Sequence, residues 1–285
     1  MARPHIEFIQ AQTLPWRGQD KSSPRPGAEC KLLSADPESQ AISALYRYPA
    51  GWQFDRPHHL TCDEEVFVIA GDLSVGSVAY QADDYAFLPA DMPRPEMNSN
   101  KGAVVLTFFE GAPNNVNGEL PGENYDSARL IARVATADMP WSGPSDPVIA
   151  ATMQGVGKKS LRRDPITGDS TWMLRAGPDD PAALTTARVE VHPVVEEVFL
   201  LDGEITMNMG TMRRGGYFWR PAGIAHGPFG TKGGLTGFFR TKGGALSTDW
   251  SDKPERIDWN PSYNPVLPPD LRDVAMQAYD PTLAY

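Results

Sequence analysis

Five histidines and two cysteines in 285 residues leave little material for metal, redox or nucleophilic chemistry, so the place of each one matters. Cys30 and Cys62 alone cannot build a disulfide framework, which needs several pairs at regular spacing. Basic residues are also short: 26 Lys and Arg face 36 Asp and Glu, for a net charge of −10. Nucleic acids and anionic membranes are bound through clustered basic side chains, so this balance argues against both as partners. The one basic run, KKSLRR (158–163), reads as a solvated strand end. No stretch of about 18 apolar residues occurs, which excludes a membrane-spanning helix. The opening MARPHIEFIQ has neither the basic start nor the apolar segment of a secretory signal, and a reducing cytoplasm is the expected location.

What the chain has in quantity is glycine (26) and proline (27), together with alternating apolar residues in short runs. TARVEVH (186–192), EVFLL (197–201), EITMNM (204–209) and YFWRP (217–221) each alternate with period two, and Gly or Pro interrupts them every few residues. EVFVIAGDLSVG (65–76) and YAFLP (85–89) repeat that pattern earlier. Such spacing predicts an all-β fold of sandwich or barrel type. Asp-Gly between EVFLL and EITM predicts a two-residue hairpin, with AGD as its counterpart in the earlier run.

The two regions are copies. Glu64 and Glu196, Gly71 and Gly203, Pro89 and Pro221, and Arg94 and His226 are each 132 residues apart. KLLSADPES (31–39) answers KSLRRDPIT (159–167) at an offset of 128, so the second copy carries four extra residues between Arg175 and His192. This period exceeds that of solenoid or propeller repeats, and each copy is long enough to enclose its own core. The organisation expected is an N-terminal arm (1–28), a first barrel (29–125), a second barrel (126–249) and a C-terminal extension (250–285) with one helix over 268–279. Both ends are expected to wrap over the barrels or over a second copy in a homodimer.

Only the second copy keeps side chains suited to a metal. Alternation places Arg188, Glu190 and His192 on one strand face, with Glu196 after the turn and His226 closing PAGIAH. Neutral imidazole binds Zn, Fe, Ni or Cu, and carboxylates add the charge that suits Mn or Fe. His192, Glu196 and His226 are the core candidates. Glu190 is either a fourth ligand or the counter-ion of Arg188. With three ligands bound, two His and one carboxylate leave positions open for a substrate and dioxygen. In the first copy Leu60 stands for His192, Arg94 for His226 and His58 for Glu190, while Glu64 is retained. A guanidinium stays protonated and is no ordinary ligand, so this pseudo-site of His58, Glu64 and Arg94 is expected to hold an ion pair instead, or a small anion on Arg94. Arg188, Trp172 and Arg220 are candidate substrate contacts, Arg220 as a carboxylate anchor if it faces inward. Glu197 should point away from Glu196, and His5 reads as a surface residue.

The spacing over 190–203 and 215–226 resembles the two-part signature of the cupin superfamily, with Glu190 where most members place a second His. The His192-xxx-Glu196 form followed by VFLLDG looks closest to the zinc-binding cupins of anti-sigma factors and to cupins of small-molecule dioxygenases. That resemblance covers both copies and implies two tandem cupin β-barrels, or jelly rolls, with extended arms. It also implies one divalent metal ion per chain, with Fe(II) favoured over Mn or Zn. The activity expected is that of a non-haem iron dioxygenase on a small carbonyl, enol or aromatic substrate. A metal-dependent lyase or isomerase and a non-catalytic sensor of metal or small molecules are the alternatives. The first 28 residues lack a Cys/His cluster and an amphipathic helix, so a sigma-factor partner is not expected.

Overall fold

Two glycines set the shape of each half of the chain. In the computed structural model, which describes residues 3–144 and 146–285, Gly71 and Gly203 lie inside the long strands Glu64–Val75 and Val195–Met207. Their φ angles of 80° and 76° fall in the left-handed region, and a Cβ on either would lie 1.9 Å from Gly102 O or 2.0 Å from Gly234 O. Only glycine tolerates both constraints. At each site one residue is extra: pairing steps from Val68 to Ala70 against Val105 and Val104, and from Leu200 to Asp202 against Gly237 and Thr236. The Asp-Gly hairpin expected from the sequence is thus a β-bulge, which bends a continuous strand and increases its twist. The chain reverses further on, after Val75 and Met207, where Val75 pairs Val78 and Met207 pairs Gly210.

The chain divides into two units, one formed by Pro15–Met139 with Arg3, the other by Pro4–Leu14 with Pro140–Tyr285. Both are built of antiparallel strands. The first has strand order Ile131–Ala135, Asp84–Leu88, Glu64–Val75, Ala103–Phe109, Ile42–Tyr48, Glu29–Ala35, Arg17–Gly18. The second runs Ile6–Gln10, Gly216–Arg220, Val195–Met207, Leu235–Lys242, Ser170–Ala176, Gly157–Arg163. Its last five strands repeat the second to sixth of the first in the same order, which is the sequence duplication written in hydrogen bonds.

The outermost strands depart from the boundaries expected at 28 and 126. Ile6–Gln10 pairs with Gly216–Arg220 in the second unit, Ile6 opposite Trp219. Ile131–Ala135 pairs with Asp84–Leu88 in the first, Ile131 opposite Phe87. Ile6–Gln10 therefore belongs to the second unit although the residues that flank it lie in the first, and Ile131–Ala135 is the last strand of the first unit, which runs to Met139. The physical gain is the same in both: an edge that would leave a row of unpaired backbone groups is covered. The C-terminal segment lies on the second unit, where Val266 exchanges two backbone hydrogen bonds with Glu7 (2.8 and 2.7 Å) and Glu255–Arg256 pairs with Thr186–Ala187. Its helix is shorter than expected, a 3-10 turn at Pro269–Leu271 leading into Arg272–Ala275. A second helix, Pro147–Thr152, starts with Pro at its first turn, and the Asp146 carboxylate accepts from Val148 and Ile149 N–H groups.

Inward side chains fill each barrel. Leu60, Val66, Val68, Leu88, Val105 and Phe109 are among those buried in the first, and Trp172, Val198, Leu200, Met207, Met212 and Phe218 in the second. Each large side chain contributes roughly 1.5–3 kcal/mol of hydrophobic stabilisation. Glu196 and Glu197 are both buried yet point to opposite faces of their strand: Glu197 accepts from Tyr217 Oη and Arg240 Nη1, each at 2.6 Å, away from the site described next. Among the described residues, no helix is long and apolar enough to cross a membrane.

Candidate metal centre

The site begins with a backbone bridge. Glu190 N–H donates to His226 O (2.9 Å) and His226 N–H to Glu190 O (3.0 Å), which brings the start of the signature beside its end. His192 lies two residues beyond Glu190, and the turn that follows returns the chain into Val195–Met207 at Glu196. Each imidazole is then fixed by its other nitrogen. His192 Nδ1 donates to Ser247 O at 2.9 Å and His226 Nδ1 to Ile224 O at 2.8 Å. A carbonyl can only accept, so both Nδ1 atoms carry a proton, and in the neutral ring each Nε2 presents a lone pair, the tautomer of a metal ligand.

Those lone pairs converge on carboxylates. His226 Nε2 lies 3.2 Å from Glu190 Oε1 and 3.6 Å from Glu196 Oε2, and His192 Nε2 lies 3.9 Å from Glu190 Oε2 and from Glu196 Oε2. Glu190, His192 and His226 offer one ligand atom each within 4.8 Å of one another. Glu190 thus turns toward the imidazoles, while Arg188 is exposed. Glu196 reaches the same point, but its Oε2 also accepts from Arg220 Nη1.

Arg220 faces inward, directly opposite Glu196, and the carboxylates it anchors are the protein's own. It is 1% exposed, with its Nε and Nη2 edge against the carboxylate of Glu7 and its Nη1 on Glu196. Trp219, opposite Glu197, takes the other face, where it pairs with Ile6 of the strand Ile6–Gln10, and both side chains are buried. Glu7 and His5 were missed from the sequence. His5, expected at the surface, places Nε2 3.1 Å from Glu7 Oε2. Burial works to raise the Glu7 carboxyl, but the Arg220 charge and the hydrogen bonds from His5 and Arg220 outweigh it and hold it at about 2. The signal for Glu7 lay far from the motif, in a segment read as an arm.

Whether these residues suit a divalent ion can be judged from the donors themselves. Bonds of about 2.0–2.2 Å to imidazole nitrogen and carboxylate oxygen set neighbouring donors roughly 3.0–3.5 Å apart, and the observed separations of 3.2–3.9 Å fall at or just beyond that spacing. His226 Nε2 is buried without a hydrogen-bond partner. Three carboxylates, Glu7, Glu190 and Glu196, face one guanidinium, Arg220, leaving a formal excess of two negative charges. A divalent cation held by Glu190, His192 and His226, with Glu196 shared between it and Arg220, fits the lone pair and balances the charge.

A cavity of about 550 Å³ opens onto this cluster. Its walls are mostly apolar: Trp172 stacks on Phe239 with ring centroids 5.6 Å apart, and Phe218, Phe229 and Leu235 complete the lining. Arg188 and Trp172, both expected as substrate contacts, line it. So does Lys158, which the sequence reading placed in solvent. Its Nζ sits 4.4 Å from the Trp172 ring centroid, and burial, with Arg163 nearby, lowers its pKa from the ordinary lysine value.

In the first barrel, His58 and Arg94 form the same backbone bridge, with N–H to O distances of 3.0 and 2.8 Å. Leu60 is fully buried at the position of His192. Glu64 accepts from Arg94 Nη1 and, at 2.5 and 2.7 Å, from Arg25 Nη2. Arg25, in the Pro- and Ser-rich stretch between the strands Arg17–Gly18 and Glu29–Ala35, was not anticipated.

The sequence pattern of the ChrR cupin-like domain matches residues 5–113 and again 131–243. No curated protein matches the chain significantly in sequence. Among solved structures, a candidate dioxygenase from Nostoc punctiforme PCC 73102 superposes with a TM-score of 0.76 at 17% identity, over 90% of this chain and 92% of that one. Oxalate decarboxylase from Lactobacillus farciminis gives 0.54 at 11% identity over 85% and 88%, and vicilin from hazelnut, Corylus avellana, 0.53 at 12% over 85% and 87%. At such identities the likeness is one of fold, and it holds across both barrels. With both halves matched by one domain pattern and both folded as cupin barrels, the chain belongs to the ChrR cupin-like family as a tandem, two-barrel member.

Proposed function

We propose that the second barrel is the active site of a metal-dependent oxidoreductase, a non-haem iron dioxygenase acting on a small carbonyl, enol or aromatic compound. The observation that carries this reading is the convergence of Glu190, His192 and His226 at the end of an apolar, aromatic-walled cavity. Two His and one carboxylate are a donor set that leaves coordination positions open. When bound there, Fe(II) supplies Lewis acidity and one-electron chemistry toward dioxygen.

The chain's own residues position the substrate. Trp172 and Phe239 offer flat apolar faces to an aromatic or enol body and displace water from it. Lys158, over Trp172, brings a positive charge to an otherwise greasy wall, which suits an enolate or phenolate oxygen. Ser247 and Ile224 carbonyls hold the two imidazoles in one tautomer, so their lone pairs are in place before anything binds. Arg220 and Glu7 fix Glu196 from behind. Oxygen uptake after anaerobic loading with Fe(II), against β-diketones and hydroxylated aromatic ketones, tests the proposal. Uptake that disappears in His192→Ala supports it. Tightly held zinc or manganese with no uptake on any of these compounds would redirect it to a lyase or isomerase.

A further inference from the structure

The first barrel has lost the metal donors, and what replaces them is itself incomplete. Arg94 is 0% exposed, and its Nε and Nη2 have no hydrogen-bond partner. Arg25 Nε, in a side chain 1% exposed, has none either, nor has His58 Nε2 at 0%. Buried polar groups almost always find a partner, and charged ones left without one are the costliest exceptions. Here three guanidinium nitrogens and one imidazole nitrogen are unmatched around a single carboxylate.

The charge count points the same way. Glu64 is one negative group serving two guanidiniums, Arg25 and Arg94, so the cluster carries an excess of one positive charge. Burial, only partly offset by Glu64 and reinforced by Arg25, lowers the Arg94 pKa, as expected of a cation with too little negative charge beside it. The nearby phenol and thiol do not supply it: burial pushes Tyr48 and Cys62 both up to about 12, so each stays neutral. The second barrel shows the opposite excess, two negative charges, at the place where a divalent cation fits.

The chain also contains the shape that is missing. Arg220 gives Nη1 to Glu196 and turns its Nε and Nη2 edge onto the carboxylate of Glu7. Arg94 gives Nη1 to Glu64 in the same way, and the matching Nε and Nη2 edge has no hydrogen-bond partner. That edge is a fork whose two parallel N–H groups match a planar oxyanion.

We propose that the first barrel is a binding site for a small, planar, singly charged oxyanion, of the carboxylate, nitrate or hydrogencarbonate class, held by the Nε and Nη2 edge of Arg94 with Arg25 Nε and His58 at its margin. His58 Nδ1 donates to Arg56 O at 2.9 Å, which leaves Nε2 as a lone pair able to accept from a protonated ligand oxygen or a water in the anion's shell. The tandem barrels thereby divide two ligand types between them, a cation in the second and an anion in the first. This inference does not depend on which reaction the second barrel performs.

The test is thermal unfolding of the full chain, dialysed free of small anions, with formate or nitrate added at constant ionic strength against a chloride control. Formate is used as the smallest carboxylate. A saturable rise in Tm of about 4 °C or more is expected with the planar anions, absent in Arg94→Lys, which keeps a donor for Glu64 but loses the fork. The same rise should persist in His226→Ala, which separates it from any anion bound at the metal centre. Crystals of the unaltered protein soaked in formate give an independent reading, with planar density expected on the Arg94 edge. No saturable effect, an equal effect of chloride, or water alone on that edge would overturn the proposal.

Discussion

Arg94 and His226 occupy matching points of the two barrels, each closing the same backbone bridge, the first with His58 and the second with Glu190. One position thus carries a guanidinium in one copy and an imidazole, a side chain able to ligate a metal, in the other. The proposed difference in ligand follows from that substitution and from Leu60 in place of His192.

The charge of Glu190 faces the two imidazoles, whereas that of Glu196 is divided with Arg220. Removing Glu190 therefore costs more metal affinity than neutralising Glu196. Glu190→Ala is expected to leave the protein metal-free after gel filtration, and Glu196→Gln to weaken binding about 10–100-fold. Competition with a chromophoric chelator measures both.

Glu7 is expected to make the second barrel acid-sensitive. Its folded pKa, about 2 against 4.5 for the free carboxyl, is depressed, so its stabilising effect is full above pH 4.5 and disappears as pH falls toward 2. The difference corresponds to about 3 kcal/mol. Glu7→Gln should flatten that part of the pH–stability profile while lowering stability at neutral pH by roughly 3–5 kcal/mol, because Arg220 then keeps Glu196 alone as partner. Urea unfolding followed between pH 2 and pH 7 reads both effects.

Gly203→Ala and Gly71→Ala should each destabilise one barrel strongly. A methyl group at either position meets a carbonyl oxygen at about 2 Å and sits at positive φ. A cost of roughly 2–5 kcal/mol is expected, combining backbone strain with displacement of the facing strand. Gly233→Ala, where a Cβ meets nothing within 4 Å, serves as the control.

These glycines also mark the limits of reading the fold from sequence. The alternating runs and the 132-residue offset pointed to paired β-barrels because side-chain period and repeat spacing are local properties. Asp-Gly carries the same local signal in a hairpin and in a bulge, and only the facing strand, with Gly234 or Gly102 in contact, distinguishes them. The candidate metal donors were visible for a similar reason: His192, Glu196 and His226 fall in one motif. Glu7 and Arg25 were not, since each reaches its partner across 213 or 39 residues of chain. Lys158 was hidden in a basic run whose solvated appearance ends where Trp172 covers it.

Lys158 and Trp172 should govern substrate affinity rather than metal loading. Lys158→Met is expected to raise KM about 10-fold or more for enolisable or phenolic substrates, the loss of one charge-assisted contact, with metal content unchanged. Trp172→Ala should raise KM for aromatic substrates most. A loss of metal in either variant would place these side chains in the wrong role.

The most direct test of the account is elemental analysis of the full chain purified without chelators or metal-affinity tags. One divalent ion per chain in the unaltered protein, none in His226→Ala and one still in Arg94→His is the predicted result, since Leu60 leaves the first barrel short of a donor. Two ions per chain, or an ion that survives His226→Ala, would contradict it.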